Sequence, residues 1–465
     1  MKINMQIIYS AFLIVLVMAV AGCKKQNDWL DAKSQNSFVV PETLKDYQAL
    51  LENPITVHNA FSIFGLVGAD NYYLRESDFP GSAEDVRNGY IWRPSIWVDG
   101  NSPDWNSFFA IIELSNIILD GLSKKGLNND QATFNSIKGQ ALFYRAISYY
   151  NLSQLFCKTY DAGSASSDLG LPIRLNSNVN IIYQRSSIEE TYKQMVADTK
   201  AAIELLPATQ VNNRRPTKIA ANALLAKIYL CMEVYAEAEY YASESLKLNS
   251  TLLDFNSSYA SLNLTYRFAE AGINHPEILF YAQGVGYSPV IPHAFANGRV
   301  SMTLINLYNA NDLRKLFFFA SNGNEFQYRG TYTGNTSTFC GIANNEVFLI
   351  SAEAKIRTGD INGGVTDVNT LLSKRYKTGT FVPYTITDGE LALSLVLEER
   401  RKELPFVANL RWEDLRRLNK DPRFKITLTR QVAGVNYILE PGSNKYVLPI
   451  PDNEIQISGI SQNPR

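Results

Sequence analysis

Histidine is nearly absent from this sequence. His58, His275 and His293 are the only three in 465 residues, and no two share a metal-ligand spacing. The signatures of zinc hydrolysis, serine hydrolysis, phosphate transfer and calcium binding (HExxH, GxSxG, Walker A, the EF-hand loop) do not occur. A glycosidase needs only two carboxylates placed in space, so a surface hydrolase is the one catalytic alternative that sequence leaves open. Cysteine is as scarce: Cys23, Cys157, Cys231 and Cys340 lie far apart with no CxxC pair, so no disulfide framework is expected. Cys231 falls in an apolar helical stretch and reads as a small buried hydrophobe. Charge of one sign is lacking too, with 44 basic and 45 acidic residues. That balance argues against nucleic acid, which needs a basic footprint. Beyond Cys23 no run approaches the ~20 apolar residues of a transmembrane helix. Together these absences point to a binding protein without cofactor or metal.

One apolar run does exist, at the start. Lys2 precedes Ile7 to Val20, which is interrupted only by Tyr9 and Ser10, and the run ends in Val20-Ala21-Gly22-Cys23. This is the pattern of a secretory signal ending at small residues. Its last four residues resemble the bacterial lipobox, whose cysteine is acylated and becomes the new N-terminus. The expectation is a signal peptide over 1–22, lipid attachment at Cys23 and a polar tether over 23–35. Each buried CH₂ contributes roughly 0.8 kcal/mol, so two or more acyl chains hold a protein firmly at a bilayer.

The rest of the chain is patterned for helices. Apolar residues keep a helical period over 41–51, 105–122, 137–156 and 188–206. In the last of these Ile188, Tyr192, Met195, Val196, Thr199, Ile203 and Leu206 form one stripe, and Pro207 ends it. Pro216 suits the first turn of a helix reaching about Met232, and another runs from Tyr235 to Leu248. Ala226, Tyr229, Tyr235, Ala238 and Ala242 fall at the spacings of a tetratricopeptide helix hairpin. A second such unit occupies 346–373, with Gly359-Asp360 as the interhelix turn. The fold expected is mainly α: a tetratricopeptide-like helical-repeat core interrupted by a loop-rich, ligand-binding insertion over 250–345. Two further helices are expected at 391–403 and from Arg411, and the charge run Glu398 to Glu403 reads as structural ion pairs. Residues 426–450 alternate like a hairpin.

These segments resemble the SusD/RagB family of outer-membrane nutrient-binding lipoproteins. The resemblance is carried by Trp29-Leu30-Asp31, Lys138 to Ala146, Leu155-Phe156, Gly170-Leu171-Pro172, Arg215 to Lys218 and Ala220 to Leu230. It continues through Leu349 to Ala354, Glu399 to Leu404, Arg411 to Arg417 and Leu448 to Pro451. It divides the chain into an N-terminal part over 36–250 and a C-terminal part over 251–465. One departure stands out. The family usually has Phe-Glu-Gly between its Glu-Leu and Arg-Trp, whereas here the segment reads Pro405-Phe406-Val407-Ala408-Asn409-Leu410. Cys157 also stands where a glycine is common.

The resemblance implies a protein lipid-anchored in the outer membrane and facing outward. It would cap a SusC-like TonB-dependent transporter and capture oligosaccharides or another polymeric nutrient without altering them. A peptide ligand, or a repeat scaffold that holds surface proteins, is the alternative. Sugar rings stack on flat aromatic faces, and aromatics in loops are the candidates that core packing does not already explain. Two loop regions supply them: Tyr72, Tyr73, Tyr90, Trp92 and Trp97 in the first, and Tyr287, His293, Phe295, Asn297 and Arg299 in the second. Trp92 and Tyr287 are the strongest single candidates, whereas Trp105 begins a helix and reads as core.

Overall fold

The computed structural model describes residues 41–125, 130–268, 275–284, 287 and 296–465. The signal segment, Cys23 and the tether lie outside them. The chain separates into two compact units, Met1–Asp46 and Tyr47–Arg465, and every element beyond the first turn of α1 belongs to the second.

The helices are α1 (Leu44–Leu51), α2 (Phe64–Gly68), α3 (Glu84–Tyr90), α4 (Pro103–Lys125), α5 (Gln131–Phe156), α6 (Ile188–Leu205), α7 (Lys218–Cys231) and α8 (Tyr235–Leu248). They continue as α9 (Met302–Ile305), α10 (Leu313–Phe318), α11 (Asn344–Thr358), α12 (Ile361–Ser373), α13 (Gly389–Glu403), α14 (Leu410–Leu418) and α15 (Asp452–Ser458). From α4 to α8 each helix packs on its predecessor, and the stack resumes with α11 on α8, α12 on α11 and α13 against both. The helical-repeat core expected from the sequence is therefore present, with α8 and α11 packed together although residues 249–343 separate them in the chain. Among the described residues of that interval no helix exceeds six residues.

Local chemistry sets the helix ends. Ser187 and Glu190 form a reciprocal capping box at the start of α6. Thr217 caps α7 through the Ala220 N–H, so Pro216 stands just before the cap and not in the first turn as expected. Gly359, at φ 98°, ends α11, and Asp360 caps α12. Ala220, Ala223 and Ala226 on α7 and Ala238 and Ala242 on α8 are all fully buried, and the two helices pack together. The three cysteines of this unit are buried and free.

The expected charge run is an internal lattice of ion pairs. On one side Arg417 holds Glu353 at 2.6 Å and Asp414 at 2.9 Å. Arg400 meets Asp414 and Glu346, and Lys227 meets Glu346 and Glu413. On the other, Arg314 reaches Asp312, Glu399 and Glu403, while Arg375 joins Glu403 to Glu277. Buried charges are tolerable only when paired and hydrogen-bonded, and these pairs join α7, α10, α11, α13 and α14.

The strands are short: β1 (Tyr72–Leu74), β2 (Leu169–Pro172), β3 (Arg185–Ser187), β4 (Ile278–Phe280), β5 (Gln283–Gly284), β6 (Gly298–Val300), β7 (Phe319–Asn322), β8 (Glu325–Tyr328), β9 (Thr338–Phe339), β10 (Ile342–Ala343), β11 (Leu428–Val432) and β12 (Val435–Leu439). They form six antiparallel pairs, among them β1 with β6, β7 with β8, and the expected hairpin β11 with β12.

Candidate ligand site

The two loop regions singled out in the sequence meet. β1 pairs with β6 so that Tyr72 faces Val300, Tyr73 faces Arg299 and Leu74 faces Gly298. The Arg299 guanidinium folds back on its own strand, donating Nη1–H to the carbonyls of Ala296, Asn297 and Gly298. Its Nε donates to Glu325 at 2.8 Å, and the Tyr73 hydroxyl donates to the other oxygen of Glu325 at 3.2 Å. Arg75 approaches the same carboxylate at 3.8 Å. Burial and the Glu325 charge both raise the Tyr73 phenol pKa. The result is a half-exposed polar platform of Tyr73, Arg75, Asn297 and Glu325 over a buried Arg299.

Beneath it the other aromatics are packed. Tyr72 and Tyr90 are each 3% exposed and Trp92 is 1% exposed. Arg430, from β11, lies 3.6 Å from the Tyr90 ring centroid, 4.9 Å from Trp92 and 5.6 Å from Tyr72. It donates to the carbonyls of Val67, Ala69 and Tyr90. The Trp92 indole N–H is taken by the Gly68 carbonyl. The ring face that a sugar would need is thus occupied by a guanidinium, a favourable cation–π contact. Trp97, 9% exposed, packs on Phe64 and donates to the Pro449 carbonyl. Trp105 is buried in α4, as its place at a helix start suggested.

Tyr287 is half-buried, edge-on to Phe64, and its hydroxyl donates to Asp104 Oδ2 at 2.7 Å. Burial raises the Asp104 carboxyl to about 7, against the Tyr287 and Phe64 N–H hydrogen bonds that favour its charge. Trp92 and Tyr287 both have φ of 53°. That left-handed region is costly for bulky residues and is retained where surroundings impose it. Asn297 is exposed and Arg299 is 6% exposed. His293 and Phe295 lie outside the described residues.

Three important groups were not singled out in the sequence. Glu325 follows the two-residue Gly323-Asn324 turn of the β7–β8 hairpin, where Gly323 takes φ 63°, and that dipeptide was the available signal. Arg430 and Asp104 gave no signal, since Arg430 stacks on rings more than 300 positions away and Asp104 meets Phe64 and Tyr287 at 40 and 183 positions. Nearby, burial would raise the Asp70 pKa, but bidentate Arg411 and neighbouring Arg401 hold it well below the usual carboxylate range. With Asp70 and Glu325 both engaged by arginine, neither is a free base. Among the described residues no group of His, Cys, Asp or Glu is placed to hold a metal ion. None of their helices is long and apolar enough to cross a membrane.

A family model described as starch-binding and associating with the outer membrane matches residues 28–230, and the SusD family model matches 327–465. The chain belongs to the SusD family. This SusD-family chain is 25% identical to SusD-like protein P2 of Formosa agariphila, over 96% of its own length and 97% of that protein's. Its fold matches a SusD superfamily protein of Bacteroides thetaiotaomicron with a TM-score of 0.74 and 23% identity, covering 91% of this chain and 100% of that one. A protein of Bacteroides vulgatus named as a putative sugar-binding protein gives 0.73 and 22%, covering 92% and 99%.

Proposed function

We propose that this SusD-family protein is an outward-facing, lipid-anchored receptor that captures an oligosaccharide and passes it to a TonB-dependent transporter barrel. The observation that carries the reading is the union of the two candidate loops at β1 and β6, which leaves Tyr73 and Asn297 beside a charged platform. A half-exposed phenol ring with amide, carboxylate and guanidinium groups around it suits a sugar ring and its hydroxyls. Tyr287 is proposed to border the same site, and the buried Tyr72, Tyr90, Trp92, Trp97 and Arg299 to shape it. The family model's starch-binding description and the sugar-binding neighbour support a glycan over a peptide. The lipobox-like end of the signal segment supports acylation at Cys23 and so residence at the outer membrane.

The division at residue 250 is proposed as a boundary between two sequence regions and not between folding units, because Lys227 pairs with Glu346 and Glu413 across it. The scaffold alternative draws support from the 710 Å³ groove along α6, α7 and α8, where Tyr240 is exposed.

The test is calorimetric titration of the chain beginning after Cys23 against maltooligosaccharides, other neutral glycans and peptides. The expected result is glycan binding that the Tyr73→Ala, Asn297→Ala double variant weakens about tenfold or more. Peptide binding without glycan binding would replace the proposal with the alternative. Loss of radiolabelled palmitate in Cys23→Ala tests the anchor, and co-purification of a barrel protein tests the partner.

A further inference from the structure

A second cleft lies between α4, the loop joining β2 to β3, and α15, and it shares no residue with the β1–β6 platform. Its volume is 360 Å³, within the roughly 300–1,000 Å³ range of small-molecule sites. Its walls are held by polar contacts. Asn116 donates to the carbonyls of Arg174 and Asn176, and Asp120 accepts both the N–H and the hydroxyl of Ser177 at 2.8 Å. The Tyr183 hydroxyl accepts from the Asn176 amide at 2.7 Å. α15 is joined to the other two walls by Gln184, which donates to the Ser458 carbonyl, and by the Trp105 indole N–H, which donates to Glu454, each at 3.4 Å. A site formed in advance loses less freedom when it binds.

The lining has an apolar part and a polar part, and both reach solvent. Phe109 is half-buried and rests on Trp105 with ring centroids 4.7 Å apart. Tyr183 is half-buried, with the Arg174 guanidinium 5.9 Å from its centroid. Val179, Ile182 and Ile457 are 69%, 61% and 76% exposed, three of the six most exposed large apolar side chains among the described residues. Apolar side chains left in water around one concave surface mark an interaction site. No charged residue interrupts the run from Leu175 to Gln184. In the polar part, the Asn106 amide is exposed and has no side-chain partner among the described residues. Glu113 and Arg174 lie 3.5 Å apart with side chains 23% and 26% exposed. Because Glu113 matches Arg174 and Glu454 adds a negative charge, the lining carries no positive excess for an anion.

A hydrocarbon chain would leave the amide and the ion pair unmatched, and a small ion would leave the rings and branched side chains unused. A sugar ring has apolar C–H faces and a rim of hydroxyls, which suits both parts.

We propose that this cleft is a second glycan site, which takes an uncharged sugar with its C–H faces against Phe109 and Tyr183 and its hydroxyls on Asn106, Glu113 and Arg174. It does not depend on glycan capture at β1 and β6.

The experiment applies the chain beginning after Cys23 to a printed array of neutral oligosaccharides, with peptides beside them. The double variant Tyr73→Ala, Asn297→Ala, which disables the platform, is expected to keep binding neutral glycans. In that background Ala110→Trp, which fills the cleft from an exposed position on α4, is expected to abolish the binding. Phe109→Ala and Asn106→Ala are each expected to weaken it about threefold to tenfold. All three positions are exposed or half-exposed, and an unchanged Tm checks that the fold is kept. The proposal is overturned if the platform-disabled chain binds no neutral glycan, if Ala110→Trp and Phe109→Ala bind like their background, or if peptides bind in place of glycans. The two sites fail separately. Binding that vanishes with Tyr73 and Asn297 overturns this cleft alone, and binding that vanishes with Ala110→Trp in the otherwise unaltered chain overturns the platform.

Discussion

The hydroxyl of Tyr287 donates to a carboxylate that is buried and titrates near neutrality: Asp104 Oδ2 lies 2.7 Å away, and the carboxyl is raised to about 7. In the unfolded chain the same group titrates near 3.8. Between those values the folded state binds the extra proton, so folding stability falls as pH rises from about 4 through 7. Asp104→Asn removes the slope. Its stability gain over the parent is expected to grow from pH 5 to pH 8, to at most about 4 kcal/mol. Urea unfolding at both pH values checks this, and a constant difference would sink it.

The two described histidines act in the opposite sense. Burial, aided by Arg214, lowers His58 to about 4, and burial, aided by Arg375, lowers His275 to about 3. Both are neutral in the fold but protonate near 6.5 when unfolded. Their contribution is fully present above pH 6.5 and is lost as pH falls through about 4. The double variant His58→Gln, His275→Gln is expected to flatten acid destabilisation in that window, measured as Tm against pH.

Ala408 lies in the segment that departs from the family's Phe-Glu-Gly, and its φ is 43°. A Cβ in that left-handed region costs roughly 1–2 kcal/mol. Ala408→Gly is therefore expected to stabilise the fold by about 1 kcal/mol, less whatever glycine adds to unfolded-chain entropy. Chemical denaturation would reveal it as a higher midpoint with unchanged slope.

Arg314 is fully buried between Asp312, Glu399 and Glu403. Replacing it with Met leaves Glu403 to Arg375 and strips charge compensation from the other two, which keep only Lys402. The expected cost is about 3–5 kcal/mol. A loss below about 1 kcal/mol would mean that the pair network contributes little.

The helices were legible because their signals are local. The stripe over Ile188 to Leu206, the Gly359-Asp360 turn and the alternation around 428–439 each lie within one window, and each marks a real element. Glu84–Tyr90 and Asp452–Ser458 were missed because seven-residue helices show barely two turns of period. The site was legible only in outline. The sequence identified both loops, but it could not say which aromatic faces remain open. Trp92 illustrates this: its fate depends on Arg430, which lies far along the chain. Aromatic content marks where rings are, and tertiary contacts decide which are covered.

The ion pairs that join α7 to α11 and α14 have a consequence for chain integrity. Lys227 and its carboxylates come from opposite sides of residue 250, so the frame is clasped by contacts that do not run along the backbone. A single proteolytic nick in the exposed turns around Asn256 to Asn263 would not release either piece. The two fragments are expected to remain one particle in native buffer and to part only in denaturant. Expressed separately, they would rebuild the fold only when both are present.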